Sequence, residues 1–299
     1  MKYLKYSISI LIFLSIFFIG QYLIELSLEK IIENSSFRYS RLYTQKLEND
    51  VISIGNSRGV NSIYTPYFKE KYNINIMNLS YNGLKSDVLI PLLEDYLDLH
   101  KKPKTILIEV SNLYGENRKY NSKSNKLAHS FSIYTKYSER LSKLFERDHK
   151  KSSEINKYFG LYRYNSELLG RNIYYIFKKD NEWINRYRIN DKMIKNTSNM
   201  NDFIVNINTS ATKSLAKFIL DARSKNIKII LYIAPYLPDY HSKISNINVV
   251  KNDLAKLLNH QIIDLSKLIS EEKMFADRVH SNELGASLIA DTLVTILRN

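Results

Sequence analysis

Residues 50–60 of the chain read DVISIGNSRGV. The run from Val51 to Ile54 is short, largely β-branched and closed by a glycine, the pattern of a strand buried on both faces and ended by a turn. Directly beyond it, Gly55-Asn56-Ser57-Arg58-Gly59 places a serine on a glycine-flanked turn. That is the carboxyl end of the strand, where open parallel sheets hold their ligands. Working outward, similar runs recur as NINIMNL (73–79), KTILIEV (104–110), NIKIILYI (226–233) and QIIDL (261–265). The segments between them are long enough for helical crossovers. This alternation predicts an α/β fold with about five parallel strands covered by helices on both faces.

A serine hydroxyl is a weak nucleophile until a base takes its proton, and a histidine serves as that base best when a carboxylate fixes its tautomer. The far end of the chain supplies both groups: in FADRVHSNELGA (275–286), Asp277 and His280 lie three residues apart. The stretch SNELGASLIADTLVTIL (281–297) keeps an apolar helical period, with Ser281 or Asn282 as N-cap, so a packed helix is expected to tether the Asp277–His280 loop. Glycine is scarce, eight in 299 residues, and its placement is therefore informative. Gly55 and Gly59 bracket Ser57, Gly83 follows the second run in NLSYNG, and Gly115 follows the third. Glycine allows positive φ and close backbone approach, so these positions either aim N–H groups at a substrate oxygen or form ordinary turns. Cysteine is absent, and the six histidines show no HExxH-like spacing. Disulfides and thiolate metal sites are thereby excluded, and a metalloenzyme is disfavoured.

Gly55 to Gly59 also fits the G-x-S-x-G elbow of α/β-hydrolases. The context argues against it: the serine follows the first strand of the domain, no HGGG-like segment precedes it, and the acid lies three residues before the histidine. The order of elements instead resembles the SGNH (GDSL-like) hydrolases, with Ser57 in IGNSR, Gly83 in SYNG, Asn112 in VSNL, and Asp277 with His280 in DRVH. The resemblance covers about residues 50–115 and 225–299. Two departures stand out: the usual GDS is GNS, and the GxND block is reduced to VSNL. The resemblance implies a three-layer, flavodoxin-like fold and a serine esterase or acyltransferase without a cofactor. It further implies Ser57 as nucleophile, His280 as base, Asp277 as its orienting acid, and an oxyanion hole from Ser57, Gly83 and Asn112.

From Tyr6 to Ile24 no charged residue occurs. At about 1.5 Å per residue such a helix nearly crosses a hydrocarbon layer of roughly 30 Å. Lys2 and Lys5 precede it and Glu25, Glu29 and Glu33 follow, so the positive-inside tendency predicts a cytoplasmic N-terminus with the remaining chain outside. A cleaved signal peptide is the rival reading, although no small-x-small site follows the apolar run. The organisation expected is a membrane anchor over 1–30, a polar, partly helical connector over 31–49, and an α/β domain over 50–299. A largely helical insertion, rich in Tyr, Asn and Lys, occupies about 115–200. Its tyrosines (Tyr134, Tyr137, Tyr158, Tyr162, Tyr164, Tyr174, Tyr175) serve either packing or sugar stacking. The formal net charge is +14. It reflects lysines on solvated faces or an anionic partner, but no basic cluster has the pattern of a nucleic-acid module. Arg58 is placed either to meet an anionic substrate or to form a structural ion pair. Outward-facing anchored proteins of this resemblance imply a bacterial enzyme acting on an acylated cell-envelope glycan. The alternative keeps the fold as a non-catalytic scaffold beside a membrane acyltransferase.

Overall fold

The computed structural model describes residues 2–116, 129–178 and 184–298. The chain divides into two compact units, one formed by residues 1–45 with 123–181 and the other by residues 46–122 with 182–299.

The first unit is helical. Helix α1, Lys2–Asn34, is the one described helix long and apolar enough to cross a membrane, and its large side chains from Ile8 to Ile19 are exposed. Its second half packs against helices of the insertion. Within the insertion, the helices Glu139–Asp148 and Glu167–Phe177 begin where Ser138 and Ser166 cap them, each side chain accepting from a backbone N–H of the first turn. Such a cap satisfies a donor that the helix itself leaves unpaired. The stretch after α1 is packed rather than trailing: the short helix Arg38–Thr44 buries Tyr39, Ser40 and Leu42. There Ser40 Oγ meets Tyr134 Oη at 3.1 Å, and Asn172 Nδ2 donates to the same hydroxyl at 2.8 Å. Of the insertion's tyrosines, Tyr134, Tyr164 and Tyr175 are buried, whereas Tyr158 and Tyr174 are exposed.

The second unit is an α/β fold. Its sheet runs β2-β1-β3-β6-β7, with β1 Val51–Ile54, β2 Ile76–Asn78, β3 Thr105–Glu109, β6 Lys228–Ile233 and β7 Ile262–Asp264, all neighbours parallel. All five apolar runs read from the sequence form these strands. Two further strands, β4 Tyr114–Gly115 and β5 Asn206–Ile207, pair antiparallel outside it. Helices α3 (Ser86–Leu99), α4 (Thr209–Ser224) and α5 (Ile247–Leu258) pack in a row, with α4 against β6. Elsewhere α6 (Glu283–Arg298) packs on α2 (Ser57–Ser62) and on the helix Thr65–Tyr72. Ile289, Leu293 and Val294 of α6 share a core with Val51, Leu107, Ile230 and Tyr232 of the sheet. Each fully buried aliphatic side chain contributes roughly 1.5–3 kcal/mol, so α6 is firmly held and with it the loop at its N-terminus. Both β1 and β3 end beside one another where strand order reverses, β2 lying to one side and β6 to the other. That reversal is the topological switch point at which open sheets bind ligands.

Candidate active site

The turn after β1 is shaped by close packing. A Cβ on Gly55 would lie 2.6 Å from the Cβ of Glu109, and one on Gly59 would lie 2.6 Å from Ser80 Oγ. Only glycine lets this turn rest so near β3 and the residues after β2. Asn56 caps α2, its Oδ1 accepting from the Arg58 N–H at 2.8 Å. Ser57 is therefore the first residue of the helix. Its N–H belongs to the set that an α-helix leaves without an internal acceptor.

The second part of the site comes from the loop before α6. Phe275 and Ser281 form an antiparallel bridge, and the Ala276 N–H donates to His280 O at 2.9 Å, so Asp277 to His280 sit at the tip of a tight turn. Asn282 then caps α6, its Oδ1 accepting from the N–H groups of Leu284 and Gly285, while its Nδ2 donates to Lys273 O at 2.8 Å. The turn's other flank is fixed by the Leu237 N–H, which donates to Arg278 O at 3.0 Å. Held this way, His280 Nε2 lies 2.7 Å from Ser57 Oγ and His280 Nδ1 lies 2.7 Å from Asp277 Oδ2. Asp277 Oδ1 accepts from the N–H groups of Val279 and His280 at 2.9 and 3.0 Å. Burial alone would raise the Asp277 carboxyl, but the His280 ring and these two backbone donors outweigh it and hold the group below its ordinary value. An ionised carboxylate at Nδ1 keeps the proton on that nitrogen and leaves Nε2 free to accept from Ser57.

Ser57, Asp277 and His280 are thus brought together from opposite ends of the chain. The other two residues read from the sequence are not on the same wall. Gly83 lies in an exposed turn with a φ of 72°, a left-handed conformation suited to glycine. Asn112, in the short 3-10 turn Ser111–Leu113, is buried, and its side-chain amide has no hydrogen-bond partner among the described residues. From that turn it is Ser111 that faces the cleft.

The cleft holds about 340 Å³ and has Ser57 and His280 in its lining. Tyr114, Phe203, Tyr236, Tyr240 and Ile244 form its apolar and aromatic wall, with Glu116 on its lining as well. These tyrosines lie outside the helical part of the insertion. Tyr114 and Tyr236 join hydroxyls at 2.8 Å, and burial raises both phenols above their ordinary value, most strongly Tyr114. Both are therefore neutral hydrogen-bonding groups at physiological pH.

Arg58 lies at the lining of the cleft but is almost wholly buried. Its guanidinium is buried, stacks 3.5 Å from the centre of the Tyr236 ring, and donates to the carbonyls of Ala234 and Pro235. Its Nη1 lies 3.9 Å from Glu109 Oε1. Burial works against the guanidinium charge, but the neighbouring Tyr236 and Glu109 outweigh it and keep Arg58 above its ordinary value. Of the two roles open to Arg58 in the sequence, the structure has the ion pair. Glu109 was not singled out by sequence, although a carboxylate ending an apolar strand is a visible anomaly. It accepts from the Ser111 N–H, from Ser111 Oγ at 2.7 Å and from the Ala234 N–H. It thereby ties the ends of β3 and β6 beneath the nucleophile's turn. Glu109→Ala strands three donors and a buried cation, a loss of about 3–5 kcal/mol for a broken buried pair. At about 2–4 °C per kcal/mol for a unit of this size, the melting temperature is expected to fall by roughly 6–20 °C. Calorimetry showing no shift would mean that the pair is dispensable.

No family model matches the chain, and no curated protein matches it. Among solved structures, it is similar to a candidate platelet activating factor from Streptococcus pneumoniae at 14% identity and a TM-score of 0.44, over 95% of this chain and 98% of that one. It is also similar to a candidate acylhydrolase from Bacteroides fragilis at 11% identity and a TM-score of 0.40, over 83% and 86% of the two chains. An acetyl xylan esterase aligns at 14% identity and a TM-score of 0.39, over 83% and 98%. At such identities and TM-scores these likenesses establish no activity for this chain.

Proposed function

We propose that the chain is an SGNH-type serine esterase or O-acyltransferase, anchored by α1 with its α/β unit outside the cytoplasmic membrane, and that it acts on an acylated envelope glycan. The observation that carries this reading is the Ser57–His280–Asp277 chain of 2.7 Å contacts opening onto the cleft. In the proposed reaction, Ser57 Oγ attacks the ester carbonyl as His280 Nε2 takes its proton. The tetrahedral intermediate collapses, the ester C–O bond breaks, and His280 returns the proton to the leaving alcohol. Water or a sugar hydroxyl then cleaves the acyl-Ser57 ester, giving hydrolysis or transfer.

The developing oxyanion needs donors. The Ser57 N–H is one by its helix position, and Gly83 N–H and Asn112 Nδ2 are the others proposed. Asn112 has physical support: a buried amide without a partner costs about 1–3 kcal/mol, a cost that a substrate oxygen would relieve. Asn112→Ala is expected to lower the acylation rate about 10²–10³-fold while leaving Ser57 reactive. An unchanged rate would leave a hole of two donors. The aromatic wall of Tyr114, Tyr236 and Tyr240 suits a pyranose ring, which stacks an apolar face while its hydroxyls reach phenolic groups.

The testing experiment is treatment of the full chain in detergent with a fluorophosphonate, followed by peptide mapping. Modification at Ser57 and its disappearance in Ser57→Ala is the expected result. One observation favours the scaffold reading, namely that neither Gly83 nor Asn112 lines the cleft. Absence of labelling together with an intact fold would decide for it.

A further inference from the structure

Along α1, residues spaced by four lie on one face, and the face through Phe17, Gln21, Glu25 and Glu29 is the one the helical unit covers. Its contacts run in order. Lys136 pairs with Glu29, Arg163 Nη2 lies 3.4 Å from Glu25 Oε1, and the Gly160 backbone is so close to the Glu25 carboxylate that a Cβ there would meet it at 2.7 Å. Farther toward the N-terminus, the Phe159 ring meets Phe17 edge-on, centroids 6.4 Å apart. Glu25 ends the uncharged stretch, so the contacts do not stop where the apolar run begins. Phe17 lies seven residues inside it, about 10 Å at 1.5 Å per residue.

Phe159 and its neighbour Tyr158 are nonetheless 46% and 75% exposed. Two aromatic side chains standing open beside the apolar stretch of α1 match the aromatic residues that anchor proteins at a bilayer interface. The helix leading to them, Lys150–Tyr158, carries exposed Lys150 and Lys151 in its first turn, while Lys157 in its last turn pairs with Glu146 at 3.5 Å. Each such lysine near an anionic surface contributes about 1 kcal/mol, and long lysine stems reach back to headgroups from below them.

From this register we infer that the Tyr158–Phe159 turn is a second membrane contact, inserted into the outer leaflet beside α1, with Lys150 and Lys151 reaching anionic headgroups. This rests on the reading of α1 as a membrane anchor. The occupant is lipid, because the exposed rings continue the apolar surface of α1 itself. Its consequence is that the helical unit is held to the membrane along one flank rather than hanging from a single flexible stem.

The absence of cysteine makes the test direct. Phe17→Cys, Phe159→Cys and Phe177→Cys, each spin-labelled in the full chain and placed in nanodiscs of mixed zwitterionic and anionic phospholipid, report depth through relaxation by oxygen against a water-soluble nickel chelate. Phe177 is the control: it is 83% exposed, but its neighbour Lys178 accepts through its carbonyl from Ser36, just past the end of α1. That end, Asn34, lies about 15 Å beyond Ile24 on the water side. The expected result is an oxygen-to-nickel ratio at 159 close to that at 17 and several-fold above that at 177. A label at 159 that reads like 177 while 17 reads as lipid would overturn the second contact and leave the anchor standing. A label at 17 that reads as water would remove both.

Discussion

Replacement of Ser57 by alanine is expected to lower turnover of an aryl acetate by about 10⁶, the scale seen when a triad nucleophile is removed. The reason is geometric. His280 Nε2 stands 2.7 Å from Ser57 Oγ and has its other nitrogen committed to Asp277, so the base has one proton to take and one oxygen to take it from. Residues acting as a unit are strongly non-additive. His280→Ala alone should therefore cost about as much as Ser57→Ala, and the double variant hardly more than either. The measurement is kcat on p-nitrophenyl acetate for the full chain and the three variants, with melting curves to show that each is folded. A Ser57→Ala protein retaining a tenth of the rate would remove the nucleophile assignment. Costs that multiply in the double variant would mean that Ser57 and His280 do not work on the same step.

Asp277→Asn is expected to reduce kcat by about 10⁴ with little loss of fold. The two oxygens of Asp277 do different things: Oδ1 accepts from the backbone of Val279 and His280, and Oδ2 faces His280 Nδ1. An asparagine keeps its oxygen on the backbone donors, which preserves the turn, and presents an NH2 group to Nδ1. The imidazole then places its proton on Nε2, where it can no longer accept from Ser57. A rate within tenfold of the parent would show that the tautomer is set elsewhere. The carboxyl also links stability to pH. Because its folded value is depressed, its contribution is complete above the ordinary carboxylate value of about 3.9 and is lost as pH falls through the folded value. In Asp277→Asn that acid-side loss should shrink.

The five strands and the order Ser57, then Asp277 and His280, were legible in the sequence because each is a local pattern. An apolar run declares its own burial on both faces, and the residue after it lies at the strand's carboxyl end whatever the rest of the chain does. A cap of α6 at Ser281 or Asn282 was legible for the same reason, since capping joins residues two or three apart, and the structure has Asn282 in that role. What tertiary structure alone decided are pairings across long separations. Arg58 meets Ala234 and Pro235, Glu109 bridges to Ala234, and Tyr114 meets Tyr236. No periodicity in sequence encodes such partners. The aromatic residues of the cleft, Tyr114, Tyr236 and Tyr240, accordingly come from strand ends and from the helix start Pro238–Ser242, segments whose composition does not set them apart. The surroundings of Asn112 were equally hidden, because in the 3-10 turn Ser111–Leu113 successive side chains are rotated by about a third of a turn. Ser111 lines the cleft, whereas Asn112 is buried with its amide unpartnered among the described residues, and only the folded backbone decides that.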